Sequence, residues 1–337
     1  MWRNAWTAGL ALAFGGWDMG SAAAQPALRE ITFGTNWLAQ AEHGGYYQAL
    51  ADGIYEKYGL KVTIVPGGPR ANNRMLMSVG KLDFYMGGSL IQALSAVEKN
   101  IPTIVVAAHF QKDPQVLMSH PGQGFDRFDD LKKSNDILLS KDGAATFFQW
   151  MKAEFGFRDE QVKPYGFSPA PFIANSRAVQ QGYVTSDPLV IEKAAGFKPN
   201  VFLLADHGFS TYSTTIETRR EVVEKDPDLV QRFVDASTIG WYNYLYGDNA
   251  KANALIKRDN PEMTDEILAY ALTKMKEHGI VDSGDAQKHG IGAMTDARMK
   301  DFFDKMVKAG LFKPELDYTQ AFTLQFVNKG VGLELKK

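Results

Sequence analysis

No cysteine occurs among the 337 residues. A disulfide framework and a thiol nucleophile are therefore excluded, and no cysteine is present to carry a lipid anchor behind an export signal. Long apolar runs are also missing. None approaches the ~20 residues that a helix needs to cross a bilayer. Charge is nearly balanced, with 37 Lys and Arg against 39 Asp and Glu and a formal net charge of -2. Nucleic acid is not an expected partner, because polyanion binding needs a basic face; Lys132-Lys133 and Arg219-Arg220 are isolated pairs. Catalytic signatures are absent as well: no G-x-S-x-G elbow, no G-x-x-x-x-G-K-[ST], and no G-x-G-x-x-G behind a strand. The histidines, His43, His109, His120, His207, His278 and His289, include no i, i+4 pair of the helical zinc type. Neither a cofactor nor a metal is expected, and the chain is not expected to be an enzyme.

What is present is an ordinary globular composition, 45% hydrophobic and 23% charged. The length suits two domains or one large α/β unit. The first residues stand apart: Arg3, then the small and apolar run Thr7–Gly16, then Ser21-Ala22-Ala23-Ala24. This order predicts a secretory signal peptide over residues 1–24, cleaved after Ala24. Without a lipid-bearing cysteine the exported chain is expected to be free in a periplasm, as a monomer.

From Glu30 onward strand-like and helix-like segments alternate, which predicts mainly parallel sheets with helices on both faces. Strands are predicted at 30–33, 61–65, 84–86, 103–108, 116–119, 137–139, 162–166, 183–185 and 201–205. Helices are predicted at 43–58, where Tyr47, Leu50, Ala51, Ile54 and Tyr58 recur at helical spacing, and at 71–79, 90–99, 143–155, 178–181 and 189–195. After Thr215 long helices take over, at 221–246, 250–257, 264–278 and 296–309, with Thr264 and Thr295 as N-caps. Two α/β domains are expected, one from residues 25–110 plus 208–337 and one from residues 111–207 inserted between. The two crossings, near His109-Phe110 and Asp206-His207, form a hinge. Ligands of open α/β sheets sit beyond the carboxyl ends of the strands, so the cleft between the domains is the expected site.

The segments that follow predicted strands carry the candidate contacts. They are Asn36-Trp37, Gly67-Gly68-Pro69, Gly87-Gly88-Ser89, 140–143 with Gly143, 167–171 and 185–188. Glycine there lets a ligand approach the backbone, and helix-start amides offer donors. Aromatics crowd the same places: Trp37, Tyr46, Tyr47, Phe167, Phe172, Tyr183 and Tyr212. They read either as core or as a stacking slot for a planar ring. Asp187 reads either as an N-cap or as an acceptor for ligand amino groups. His43, at a helix start near Trp37, and Phe110, at the first crossing, complete the expected ligand-binding set.

Three stretches are familiar: 35–37 (Thr-Asn-Trp), 41–60 with Glu42-His43-Gly44-Gly45-Tyr46-Tyr47, and 179–188 with Val179-Gln180-Gln181-Gly182-Tyr183 and Asp187-Pro188. Together with Gly67-Gly68-Pro69 and Gly80-Lys81-Leu82-Asp83-Phe84 they resemble substrate-binding proteins of ABC transporters for nitrate, sulfonates, taurine and thiamine pyrimidine precursors. The resemblance implies the type II periplasmic binding-protein fold, closing on its ligand by hinge motion. It also implies a membrane permease and an ATPase as partners. The expected ligand is a planar heteroaromatic such as a thiamine pyrimidine precursor, stacked on Trp37 or Tyr183 and hydrogen-bonded by Ser89 and Asp187. A small oxyanion is the alternative, with Arg70 or Lys141 as its cation. The same family contains a pyrimidine synthase of thiamine biosynthesis, whose histidine and pyridoxal-phosphate lysine lie at the helix start after the third strand. By the flanking pattern Gly88 and Gln92 stand there, which argues against synthase activity.

Overall fold

The computed structural model describes residues 1–2, 27–68 and 71–336. The expected cleavage point after Ala24 and the candidate cation Arg70 lie outside the described residues. Among the described residues no helix is long and apolar enough to cross a membrane.

Two five-stranded sheets organise the chain. Strands β1 (Arg29–Gly34), β2 (Leu60–Val65), β3 (Phe84–Ser89) and β4 (Thr103–Phe110) belong to the first. Strands β5 (Gln115–Ser119), β6 (Ile137–Leu139), β7 (Val162–Pro164), β8 (Val179–Tyr183) and β9 (Asn200–Leu203) make the second. The chain then returns to the first sheet as β10 (Ser213–Arg219). The orders are β2-β1-β3-β10-β4 and β7-β6-β8-β5-β9.

Each sheet carries one reversed strand, so both are mixed, where mainly parallel sheets were expected. β10 runs antiparallel to β3 and β4, and β5 runs antiparallel to β8 and β9. Geometry dictates the reversal. β4 ends at the carboxyl edge of its sheet, so the chain enters the second sheet at the facing edge and β5 must run inward. β9 exits by the same edge, and β10 enters the first sheet in the same way. The reversed strands are therefore the first strands after the two crossings.

Local sequence explains most boundaries. The segment 43–58 is two helices, Gly44–Ala51 and Ile54–Lys57, because Gly53 between them takes a left-handed φ of 63°. The expected helix 221–246 divides at Asp226. Pro227 cannot continue a preceding helix, and the Asp226 side chain caps the new one by accepting from the Leu229 amide at 3.1 Å. Thr264 caps its helix as expected; Thr295 makes no such bond, its hydroxyl being turned to Asp285. The helix expected at 178–181 is strand β8. Four residues carry too little periodicity to decide, and pairing with β5 and β6 on both sides fixes the extended form.

The first core is built around Phe233 of the helix Pro227–Tyr246. Its ring lies 4.2 Å from Phe84 and 5.2 Å from Phe33, centroid to centroid. Each buried ring of this size contributes about 2 to 3 kcal/mol. The same helix packs unusually close to Gly44–Ala51. A Cβ at Gly45 would sit 2.2 Å from the Trp241 ring, and one at Gly44 2.2 Å from Tyr244. The familiar Gly44-Gly45 pair therefore serves helix packing.

Candidate functional site

A cavity of about 560 Å³ lies between the carboxyl edges of the two sheets. The first sheet supplies Asn36 and Trp37 after β1, Gly88 and Ser89 at the end of β3, and Gln92 in the next helix. The second supplies Asp142 and Gly143 after β6, Tyr165 and Phe167 after β7, and Tyr183 and Asp187 at and after the end of β8. Asp113 comes from the first crossing, Phe209 from the second, and Glu262 from the turn between the helices Ala250–Asp259 and Asp265–Glu277.

The position of Trp37 is set by close backbone contact. Gly67 donates its amide to the Trp37 carbonyl at 2.9 Å, and a Cβ there would lie 2.4 Å from the Thr35 carbonyl oxygen. Only glycine lets the two loops touch so closely. Across the cleft Phe167 meets Trp37 at 5.5 Å and Tyr165 at 5.2 Å, centroid to centroid. Phe167 is 59% exposed and holds a φ of 60°, a conformation uncommon for a bulky residue and one that concentrates at functional sites.

The polar wall is acidic. Asp187 accepts from the Tyr183 amide at 2.7 Å and from the Ser186 hydroxyl at 3.3 Å. Its partner amide lies upstream, so the capping alternative for Asp187 is not what the side chain does. Burial raises its carboxyl above the usual range, and these hydrogen bonds pull the other way. Burial likewise pushes Asp113 up to about 7, against the bond it accepts from the Gln115 amide at 2.9 Å. Beneath the wall Glu42 is buried and accepts from the Thr185 hydroxyl, joining the two sheets' layers; desolvation raises it too. Tyr183 is held well above its ordinary value by burial first, then by Asp113, Glu42, Asp142 and Asp187 around it.

Of the expected contacts, Asn36, Trp37, Gly88, Ser89, Gly143, Phe167, Tyr183 and Asp187 line this one cavity. The others do not. His43 is fully buried with neither ring nitrogen hydrogen-bonded, and burial lowers it to about 3. Tyr47 is buried and donates to Asp259 at 2.9 Å. Phe110 packs edge-on against Trp241, and Tyr212 is buried beneath Arg298 with its hydroxyl on Asp285. Gly68 sits in the turn after β2, away from the lining. Lys141 is outside the lining as well. Sequence reasoning missed Asp113, Gln115, Tyr165, Gln181, Phe209 and Glu262. Asp113 and Phe209 had a usable signal, since they stand on the crossings. Glu262 had none.

A protein-family model described as "NMT1/THI5 like" matches residues 40–251. The riboflavin-binding protein RibY of Chloroflexus aurantiacus is 21% identical over 317 residues, covering 91% of this chain and 88% of that protein. A 4-amino-5-hydroxymethyl-2-methylpyrimidine phosphate synthase of Schizosaccharomyces pombe is 24% identical over 145 residues, covering 43% of this chain and 38% of the synthase. Among solved structures, the periplasmic aliphatic sulphonate binding protein SsuA of Escherichia coli matches with a TM-score of 0.64 at 14% identity, over 88% of this chain and 92% of that one. The expected periplasmic binding-protein fold is the fold observed.

Proposed function

This chain belongs to the NMT1/THI5-like family, and we propose that it is the periplasmic solute-binding component of an ABC importer. It grips a small planar heteroaromatic, such as a thiamine pyrimidine precursor, without changing it. The observation that carries this reading is the cavity itself: aromatic rings and carboxyl or amide side chains face each other from two sheets whose connections are two short crossings. The volume lies within the range of small-molecule sites, ~300–1,000 Å³. A single ring fills only part of it, so a substituted or fused ring system fits too, in keeping with the riboflavin named for the Chloroflexus relative.

In the working cycle a ligand enters between the parted sheets, stacks against Trp37 and Tyr183, and hydrogen-bonds Asp187 and Ser89. Closure then brings Phe167 to Trp37. The permease and ATPase receive the closed form. Synthase chemistry has little support in the wall. Gly88 and Gln92, which stand where the synthase's two reactive residues are expected, do face the cavity; neither forms an imine, and Gln92 accepts from the Gly88 amide at 3.4 Å.

Native mass spectrometry of protein purified without added ligand, followed by calorimetry with hydroxymethylpyrimidine, riboflavin and taurine, tests the reading. A co-purified heteroaromatic and heat with one of the ring compounds are expected. Binding of taurine alone, or conversion of a bound ring into product, overturns it.

A further inference from the structure

The wall of the cavity also specifies the charge of its guest, an inference that rests on the heteroaromatic reading above. Carboxylates reach the cavity from four separate places: Asp113, Asp142, Asp187 and Glu262. The lining contains no Lys, Arg or His among the described residues, and none of these four carboxylates forms an ion pair with another described residue. Lys112, beside Asp113 in sequence, is engaged with Asp206 at 2.7 Å. Asp142 and Glu262 accept no hydrogen bond through their side chains from the described residues, whereas Asp113 and Asp187 are held by neighbouring amides. Six aromatic rings complete the wall: Trp37, Phe147, Tyr165, Phe167, Tyr183 and Phe209.

Rings and carboxylates act on charge in the same direction. A ring face attracts a cation through its quadrupole. A carboxylate attracts it by Coulomb's law, with less screening than in water at the buried Asp113 and half-buried Asp187 and with more at the exposed Asp142 and Glu262. An anion in the same place meets ring faces and carboxyl groups with no cationic side chain among the described lining residues to receive it. We propose that the site selects an organic cation, namely a heteroaromatic with a fixed positive charge or a protonated ring nitrogen or amine.

The empty site must meanwhile manage its own repulsion. Asp113 shares the lining with Asp142 and Tyr183, and burial first, then the Asp142 charge, push its carboxyl up to about 7. An arriving cation makes the proton on that carboxyl unnecessary, so a fixed-charge ligand enters as the proton fraction held on Asp113 leaves, about half a proton at pH 7, which offsets part of the added charge.

Calorimetry at pH 7 in two buffers of different ionisation enthalpy tests this, using 1-methylnicotinamide and thiamine as cations, nicotinamide and riboflavin as neutral rings, and benzenesulfonate as an anion. The expected result is that 1-methylnicotinamide binds at least ten-fold tighter than nicotinamide, with proton release that nicotinamide lacks. The double variant Asp113→Asn, Asp142→Asn is expected to lose most of that preference while keeping its unfolding transition. Failure of both cations to bind, or nicotinamide binding as tightly as 1-methylnicotinamide, overturns the cation inference; if neutral rings bind, the heteroaromatic reading survives it. If benzenesulfonate alone binds, both fall, and loss of that binding in Arg70→Ala assigns the anion contact.

Discussion

Replacing Asp113 by Asn should make the ligand-free protein more stable at alkaline pH. The Asp113 carboxyl is buried and titrates at about 7, against an ordinary value of 3.8. Between those values the folded chain keeps a proton that the unfolded chain releases. This stabilising contribution is therefore complete below the unfolded value and is lost as pH rises through about 7. Three pH units at roughly 1.4 kcal/mol each place the loss at about 4 kcal/mol by pH 8, a ceiling because the cavity admits water. Asn has nearly the same shape, and its Oδ1 can still accept from the Gln115 amide. Glu42 and Asp187 are raised in the same direction and cancel in the difference, whereas Asp142, whose charge adds to the Asp113 shift, is relieved of a like charge in the variant and adds to its advantage. Urea unfolding followed by tryptophan fluorescence, at intervals from pH 4.5 to 8 on protein stripped of ligand, measures that difference. The variant's advantage should grow through this range by up to about 4 kcal/mol. Parallel stability curves for the two proteins would show that Asp113 is ionised throughout, and the reasoning about the acidic wall would fail.

Other perturbations have equally definite outcomes. Gly67→Ala drives a methyl against the Thr35 carbonyl; it should displace Trp37 and weaken ligand binding at least ten-fold by calorimetry, at a stability cost of about 1 to 3 kcal/mol. Gly45→Ala should destabilise by a similar or larger amount through Trp241, read as a lowered urea midpoint. His43→Leu should flatten the acid limb of the stability curve. Buried neutral His43 has its value depressed to about 3, so its stability contribution is present above 6.5 and lost as pH falls, by up to about 5 kcal/mol near pH 3. Arg298→Ala should loosen the crossings, because this guanidinium donates to the Gln111 and Ser210 carbonyls, one on each crossing, and lies 4.2 Å over the Tyr212 ring. Faster amide exchange at 111–113 and 208–212, with the sheets' own exchange unchanged, is the expected signature.

Alternation of strand and helix signals was enough to imply two α/β layers, because amphipathic periodicity is a local property and is written residue by residue. Glycine-bearing turns after strands pointed to Asn36, Trp37, Gly88, Ser89 and Gly143, since a ligand edge of an open sheet must be built from such turns. His43, Tyr47, Phe110 and Tyr212 are buried away from the cavity, and their residue types do not announce it, because aromatic and imidazole side chains serve core and cleft alike. Which way each one points depends on the rotation of its helix or strand against the rest of the fold. The direction of β5 and β10 was likewise out of reach of local pattern, as it follows from where the chain crosses between sheets. Glu262 lies far along the chain from every other residue of the wall. Its arrival there, and with it the convergence of four carboxylates on one cavity, was decided by tertiary packing, because only the folded chain brings such distant charges within range of one another.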